Sequence, residues 1–120
     1  MDWKIKNKEY VFQNPLFKVE KLELNKKNNT PASHPYYRLI CPDWVNVLPV
    51  TADKQAVLIS QPRIGSFKDV LELPGGAVDA HEKKDPTLTA SRELEEETGY
   101  TSKKLLFLGS INPNPAIQNN

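Results

Sequence analysis

The sequence is poor in cysteine and lacks long apolar runs, and each shortage excludes a class of structure. Cys41 is the single cysteine, so neither an internal disulfide nor a metal site built from several thiolates can form. The longest apolar runs, such as residues 105–108, have the length of a strand and are too short to span a bilayer. The polar first residues carry no secretory pattern. We therefore expect a cytoplasmic protein without a membrane segment.

An excess of one charge is also absent. The 16 Lys and Arg residues nearly balance the 15 Asp and Glu residues, giving a net charge of +1. This balance leaves no electrostatic footprint for a nucleic acid. A length of 120 residues with 38% hydrophobic residues fits one small folded core. The two histidines, His34 and His81, have no metal-ligand spacing to a partner, and we assign both to loops or surface.

One short acidic run is present that a fold alone does not require. In residues 92–97, Arg-Glu-Leu-Glu-Glu-Glu, the side chains of Glu93, Glu96 and Glu97 share one face of a helix. Like charges at these spacings cost roughly 0.2–0.5 kcal/mol per pair. A hard divalent ion such as Mg2+, which prefers carboxylate and carbonyl oxygens, would offset that repulsion. For the run taken alone, an ordinary solvated helix with an acidic face is the alternative.

Local signals place this run on a helix that follows a glycine turn. Asp85 suits the N-cap and Pro86 the first helical position, while Gly99 supplies the left-handed residue that ends a helix near Thr98. Upstream, residues 72–76, Glu-Leu-Pro-Gly-Gly, predict a strand ending in a turn where the backbone can approach a ligand or an ion. The predicted order is strand, glycine turn, helix.

With this order and spacing the segment resembles the Nudix box. That motif has a glycine, five residues, a glutamate and seven residues, then Arg-Glu-apolar-any-Glu-Glu-any-Gly-apolar. Gly76 and Glu82 match its first half. Its second half is matched by Arg92, Glu93, Leu94, Glu96, Glu97, Gly99 and Tyr100. Nine residues rather than seven separate Glu82 from Arg92, so Lys83-Lys84 is a two-residue insertion before the helix.

The resemblance implies an α/β (α+β) fold in which a mixed β-sheet is packed by the Nudix helix. It also implies a metal-dependent hydrolase. Mg2+, with Mn2+ as an alternative, is expected at Glu93, Glu96 and Glu97 together with the carbonyl of Gly75. Arg92 and Glu82 are expected among the catalytic residues because they orient these carboxylates. The general base is left open between a glutamate of the box and one in a later loop.

Two further features resemble a subgroup of the family, the ADP-ribose pyrophosphatases and nucleoside-diphosphate-sugar hydrolases. They are Gln61-Pro62-Arg63 and an extra N-terminal strand module containing Trp3. The resemblance implies that Arg63 reaches the substrate phosphates, with Gln61 and Gly76 also binding substrate and Trp3 stacking on the base. Pinning a surface loop is the alternative for Arg63, and filling a core or an interface is the alternative for Trp3.

The implied reaction cleaves the pyrophosphate bond of ADP-ribose or a nucleotide sugar, giving a nucleoside monophosphate and a sugar phosphate. The alternatives are a nucleoside-triphosphate pyrophosphohydrolase and a nucleotide-binding module without turnover. The partner expected besides this small molecule is a second copy of the chain, in a homodimer formed through the N-terminal module.

The resemblance also implies two domains, an antiparallel strand module at residues 1–42 and a Nudix core at residues 43–120. The positions of their strands are predicted from hydrophobic patterning. Strands are predicted in the first domain at residues 10–12, 17–24 and 36–40. Strands are predicted in the second at residues 44–51, 56–61, 70–73 and 104–111, with the first two forming a hairpin. Because members of the resembled family normally continue with further strands beyond this point, we expect a core that is truncated at its C-terminus.

Overall fold

Two compact units make up the part of the chain that the computed structural model describes, namely residues 2–79, 81 and 85–120. The first unit runs to Pro42 and also takes in residues 109–120, whereas the second runs from Asp43 to Leu108. The predicted division at residues 42 and 43 had left residues 109–120 in the Nudix core. No helix in the described residues is long and apolar enough to cross a membrane.

The first unit is a three-stranded antiparallel sheet with β2 in the centre. Its strands are β1 (Trp3–Gln13), β2 (Lys18–Lys26) and β3 (Tyr36–Ile40). The turn between β1 and β2 is closed by Asn14, whose side-chain oxygen accepts hydrogen bonds from the backbone of Leu16 and Phe17, each at 2.8 Å. The three strands predicted for this region are therefore confirmed, although β1 is much longer than predicted.

Alternation along β2 puts Glu20 and Leu22 on one buried face of this sheet. A buried carboxylate needs a partner, and Arg38 on β3 supplies it by donating from Nε to Glu20 at 2.7 Å. Residues 109–120 add a short parallel contact to the same sheet. The backbone of Leu39 donates to Ile117 at 2.7 Å and accepts from Asn119 at 3.1 Å.

The second unit contains one helix and two pairs of short strands. The pairs are β4 (Trp44–Asn46) with β7 (Gly75–Ala77) and β5 (Ile59–Arg63) with β6 (Lys68–Glu72), both antiparallel. The helix α1 (Pro86–Thr98) packs against β7 and β4. The expected combination of strands with one packed helix is confirmed.

The boundaries of α1 follow its local sequence. The Asp85 side chain accepts a hydrogen bond from the Thr87 backbone N–H at 3.1 Å, and Pro86 is the first helical residue. At the other end Gly99 has a left-handed φ of 72° and donates its N–H to the Glu95 carbonyl at 2.9 Å. Both predicted ends are confirmed, because capping depends on neighbours in sequence.

The predicted hairpin of residues 44–51 with 56–61 is present only around its turn. There Val50 and Ala56 form an antiparallel bridge, and the Val57 N–H donates to the Pro49 carbonyl at 3.0 Å. The outer part of the predicted pairing is wrong, because β4 ends at Asn46 and pairs with β7. Glycine explains the preference for β7. A Cβ on Gly75 would lie 2.1 Å from the Val45 carbonyl oxygen, so only a residue without a side chain lets the strands approach this closely. The predicted glycine turn is accordingly a strand.

The strand predicted at residues 104–111 is also wrong, since the structure assigns no strand there. The segment is apolar, but its large side chains face solvent, with Phe107 84% and Ile111 86% exposed. A strand requires a partner edge for its backbone hydrogen bonds. Within the described parts of the chain, no ladder partner pairs with this segment.

The N-cap of α1 gives a first prediction. Asp85→Ala should lower the free energy of unfolding by about 1 kcal/mol, because the Thr87 N–H loses its acceptor. Asp85→Asn is the matched control and should be close to wild type, since its side-chain oxygen also caps. Denaturant unfolding followed by circular dichroism measures both. Equal destabilisation by the two variants would contradict the capping role.

Candidate active site

The carboxylate of Glu97 joins α1 to two strands. Its Oε2 accepts a hydrogen bond from the Gly75 backbone N–H at 2.8 Å, and its Oε1 accepts one from the side-chain amide of Gln61. Gly75 lies on β7 and Gln61 on β5. The predicted metal-binding glutamate and the predicted substrate-binding glutamine are therefore brought together, and Gln61 contacts the carboxylate directly.

Glu93 lies against the glycine strand. A Cβ built on Gly76 would lie 2.1 Å from Glu93 Oε1 and 2.3 Å from its carboxylate carbon. The absence of a side chain at Gly76 thus creates the space that the Glu93 carboxylate fills, and only 14% of the Glu93 side chain is exposed. We predicted Gly76 as a substrate-binding residue. In this structure its backbone packs directly against the Glu93 carboxylate.

Arg92 holds the remaining carboxylates. It donates from Nη1 to Glu93 at 2.8 Å and to Glu96 at 3.1 Å, and its Nη2 lies 3.9 Å from Asp79. This one guanidinium therefore offsets part of the repulsion between like charges on the helix face. Asp79 was not identified from the sequence, where its acidity two residues after β7 was the only signal. Glu82, the predicted catalytic partner of Arg92, lies outside the described residues.

Arg63 is engaged by a carboxylate rather than directed freely to solvent. Its Nε donates to both oxygens of Glu72, at 2.9 and 3.0 Å, and its Nη2 donates to Oε2 as well. These hydrogen bonds lower the pKa of Glu72 and raise the pKa of Arg63, and the charge of Glu97 raises the latter further. Glu72 was missed as a partner because the pairing depends on the register of β5 and β6.

Trp3, the predicted base-stacking residue, belongs to the first unit. Its ring meets that of Tyr36 edge to face, with centroids 6.0 Å apart, and the Lys26 ammonium lies 5.9 Å from the Trp3 centroid. Trp3 is 37% exposed. Its neighbours in this unit are thus another aromatic ring and a cation, and stacking on a base stays a prediction.

The donor set fits a hard divalent cation in its chemistry, since carboxylate oxygens are the ligands that such an ion prefers. Glu93, Glu96 and Glu97 share one helix face, and the Glu93 carboxylate fills the space that the missing side chain of Gly76 creates. In residues 2–79, 81 and 85–120, no three acidic, histidine or cysteine side chains converge as a ligand set. Each carboxylate is instead held by a protein donor, namely Arg92, Gln61 or the backbone of Gly75.

Comparison with known proteins assigns this arrangement to a family. The NUDIX domain model matches residues 42–119, and the chain belongs to the Nudix family. Members of this family generally use divalent metal ions. The match includes the glycine strand, the acidic helix and the β5–β6 hairpin, which are the three elements that build the site.

The chain is also similar to individual proteins. ADP-ribose pyrophosphatase of Bacillus subtilis (strain 168) is 39% identical over 76 residues, which are 63% of this chain and 40% of that protein. Methanol dehydrogenase activator of Bacillus methanolicus is 37% identical over 76 residues, which are also 63% of this chain and 40% of that protein. The crystal structure of an ADP compounds hydrolase matches 98% of this chain and 62% of that chain, with a TM-score of 0.80 and 27% identity.

The chain therefore spans 40% of the length of these two curated relatives and 62% of the matched crystal structure. The structural match covers both units, whereas the NUDIX domain model begins at residue 42. The fold class predicted from the sequence, strands packed by the Nudix helix, is confirmed by this likeness.

The pairing of Arg63 with Glu72 gives a second prediction, for pH dependence. The pKa of Glu72 lies below its ordinary value of 4.5 in the folded state. The pair therefore stabilises the fold fully above pH 4.5, and this stabilisation is lost as the pH falls through the lowered pKa. Thermal unfolding should show Glu72→Gln less stable than wild type at neutral pH and equal to it in strong acid. A difference that does not change with pH would contradict the ion pair.

Proposed function

We propose that this chain forms part of a Nudix pyrophosphohydrolase that cleaves the diphosphate linkage of ADP-ribose or a nucleoside-diphosphate sugar. The observation that carries the proposal is the Glu97 carboxylate, which shares a helix face with Glu93 and Glu96 and is bound to the glycine strand. An acidic cluster fixed beside the two glycines of β7 suits a phosphate-bearing substrate and its metal ion.

Glu93, Glu96 and Glu97 are the residues that would hold Mg2+, or Mn2+, together with the Gly75 carbonyl. When bound there, the ion supplies positive charge that offsets the carboxylates and polarises the diphosphate. The chain's own contributions are distinct from this chemistry. Arg92 draws Glu93 and Glu96 together, and Gln61 fixes the orientation of Glu97, so both are positioning residues.

The substrate class is supported by the relatives and by Arg63. One relative is an ADP-ribose pyrophosphatase, and the structural match is an ADP compounds hydrolase. Arg63 projects from β5, the strand whose Gln61 reaches Glu97, so a diphosphate at the carboxylates would lie near a guanidinium. We assign phosphate binding to Arg63 and base stacking to Trp3. The single cysteine suits a reducing compartment, and we propose a cytoplasmic location.

The activity test uses glutamates of the same helix. Glu97→Gln and Glu96→Gln should each reduce release of nucleoside monophosphate from ADP-ribose by about two orders of magnitude in the presence of Mg2+. Glu95→Gln is the matched control, because Glu95 is exposed and lies off the shared face. Product release is measured by chromatography, with circular dichroism as the check of folding.

Three outcomes would change the assignment. Near-full activity of both variants would refute the role of the carboxylates. Release of pyrophosphate from nucleoside triphosphates, with ADP-ribose untouched, would favour a triphosphate pyrophosphohydrolase. Binding of ADP-ribose that requires metal but releases no product would favour a nucleotide-binding module.

We also propose a homodimer formed through β1. This strand is at one edge of its sheet, and all eleven of its residues are exposed, including the apolar Ile5, Val11 and Phe12. An edge strand presents unpaired backbone N–H and C=O groups with which a second chain can pair. A two-fold pairing of identical edges is the simplest arrangement that covers both.

The dimer predicts a measurable mass. Light scattering should give a mass close to twice 13.6 kDa. Ile5→Lys should shift the protein toward the monomer, because a charge then replaces an apolar contact at the edge. Asn7→Lys adds the same charge at an already polar position of β1 and is the control. A monomeric wild type, or an Ile5→Lys variant that remains a dimer, would refute pairing through β1.

A further inference from the structure

The β5–β6 hairpin places Lys68 on the same face as the residues of the site. Arg63 pairs with Lys68, Gln61 with Val70, and Ile59 with Glu72, without a register shift. Side chains of paired residues, and of residues two apart, lie on one face of a hairpin. The side chains of Arg63, Lys68 and Glu72 therefore share a face, and the hydrogen bond from Gln61 to Glu97 directs that face toward α1.

The two cations of this face differ in how far their charge is offset. Arg63 directs Nε and Nη2 at Glu72, which leaves Nη1 with no hydrogen-bond acceptor among the described side chains and backbone. Lys68 is exposed and makes no ion pair with any described residue. Its chain neighbour Asp69 pairs with Pro62 and so belongs to the opposite face.

This charge pattern weakens the attraction of Arg63 for a phosphate group. The charge of the guanidinium is already balanced by Glu72, and Glu97 adds a further negative charge nearby. A second cation on this face would add the positive charge that Arg63, once balanced by Glu72, no longer supplies in full. The cation that β6 supplies is Lys68, which pairs with Arg63 across the hairpin. Its flexible four-carbon side chain can move the ammonium group toward a ligand.

We propose that Lys68 is a diphosphate-binding residue that acts together with Arg63, so that each cation takes one phosphate group of the substrate. This inference rests on the proposed function and deepens it, since it names the side chains that recognise the diphosphate. It also makes a distinction between ligands. A diphosphate engages both cations at once, whereas inorganic phosphate engages one, so the effect of Lys68 should be larger for the diphosphate.

The test is titration calorimetry with inorganic pyrophosphate and with inorganic phosphate, in the presence of a chelator so that metal held by the glutamates does not contribute. Lys68→Gln should weaken pyrophosphate binding by a factor of about 1.4 to 5, the range for loss of one exposed charge contact, and should weaken phosphate binding less. Lys68→Arg should retain most of the affinity. Lys103→Gln, which removes another exposed lysine of the second unit, is the control and should match wild type.

Melting temperature separates binding from stability. Lys68 has no ion pair to lose within the described residues, so Lys68→Gln should have the same melting temperature as the wild type. Its binding of pyrophosphate should nevertheless be weaker. Equal pyrophosphate affinity of Lys68→Gln and Lys103→Gln would refute the inference, as would a wild type that binds no pyrophosphate. Failure of the proposed function has a different signature. In that case no product is released from ADP-ribose, yet the Lys68 dependence of pyrophosphate binding remains.

Discussion

The hydrogen bond from the Gly75 backbone to the Glu97 carboxylate is the contact on which the geometry of the site depends. It fixes the last turn of α1 to β7, and the second oxygen of the same carboxylate accepts from Gln61 on β5. One side chain thus sets the relative position of three elements. Because a helix is rigid over one turn, fixing Glu97 also fixes where Glu93 and Glu96 emerge. The position of the acidic face is in this way decided by a backbone N–H group.

The groups that order the carboxylates also compete for them. Arg92, Gln61 and the Gly75 N–H each occupy acceptor sites that an ion would use. The competition is only partial, because an ionised carboxylate offers about four lone-pair sites. A site that is organised before its ion arrives avoids ordering flexible side chains at that moment, which costs roughly 0.5–1.5 kcal/mol per side chain at an interface. Under the proposed function, preorganisation accounts for the donors that surround this acidic cluster.

Sequence reasoning succeeded where structure depends on near neighbours. The ends of α1 at Asp85 and Gly99 follow from capping preferences, and the shared face of the glutamates follows from helical spacing. It failed where the outcome depends on a distant partner. The pairing of β4 with β7 and the contact of Arg63 with Glu72 both require knowledge of which strands meet and in what register. The motif placed three glutamates on one helix face, while the residues that hydrogen-bond to them became visible only in the folded chain.

The discontinuous first unit has a consequence for synthesis on the ribosome. Residues 109–120 bond to Leu39 and Cys41, and the whole second unit lies between these partners in sequence. The β1–β2 and β2–β3 hairpins can form as soon as they emerge, because their contacts are local. The contacts of Leu39 with Ile117 cannot form until the second unit has left the exit tunnel, and they close a loop of nearly eighty residues at an entropic cost. Nascent chains should thus pass through a stage in which the edge of β3 is uncovered, when chaperones have access to it.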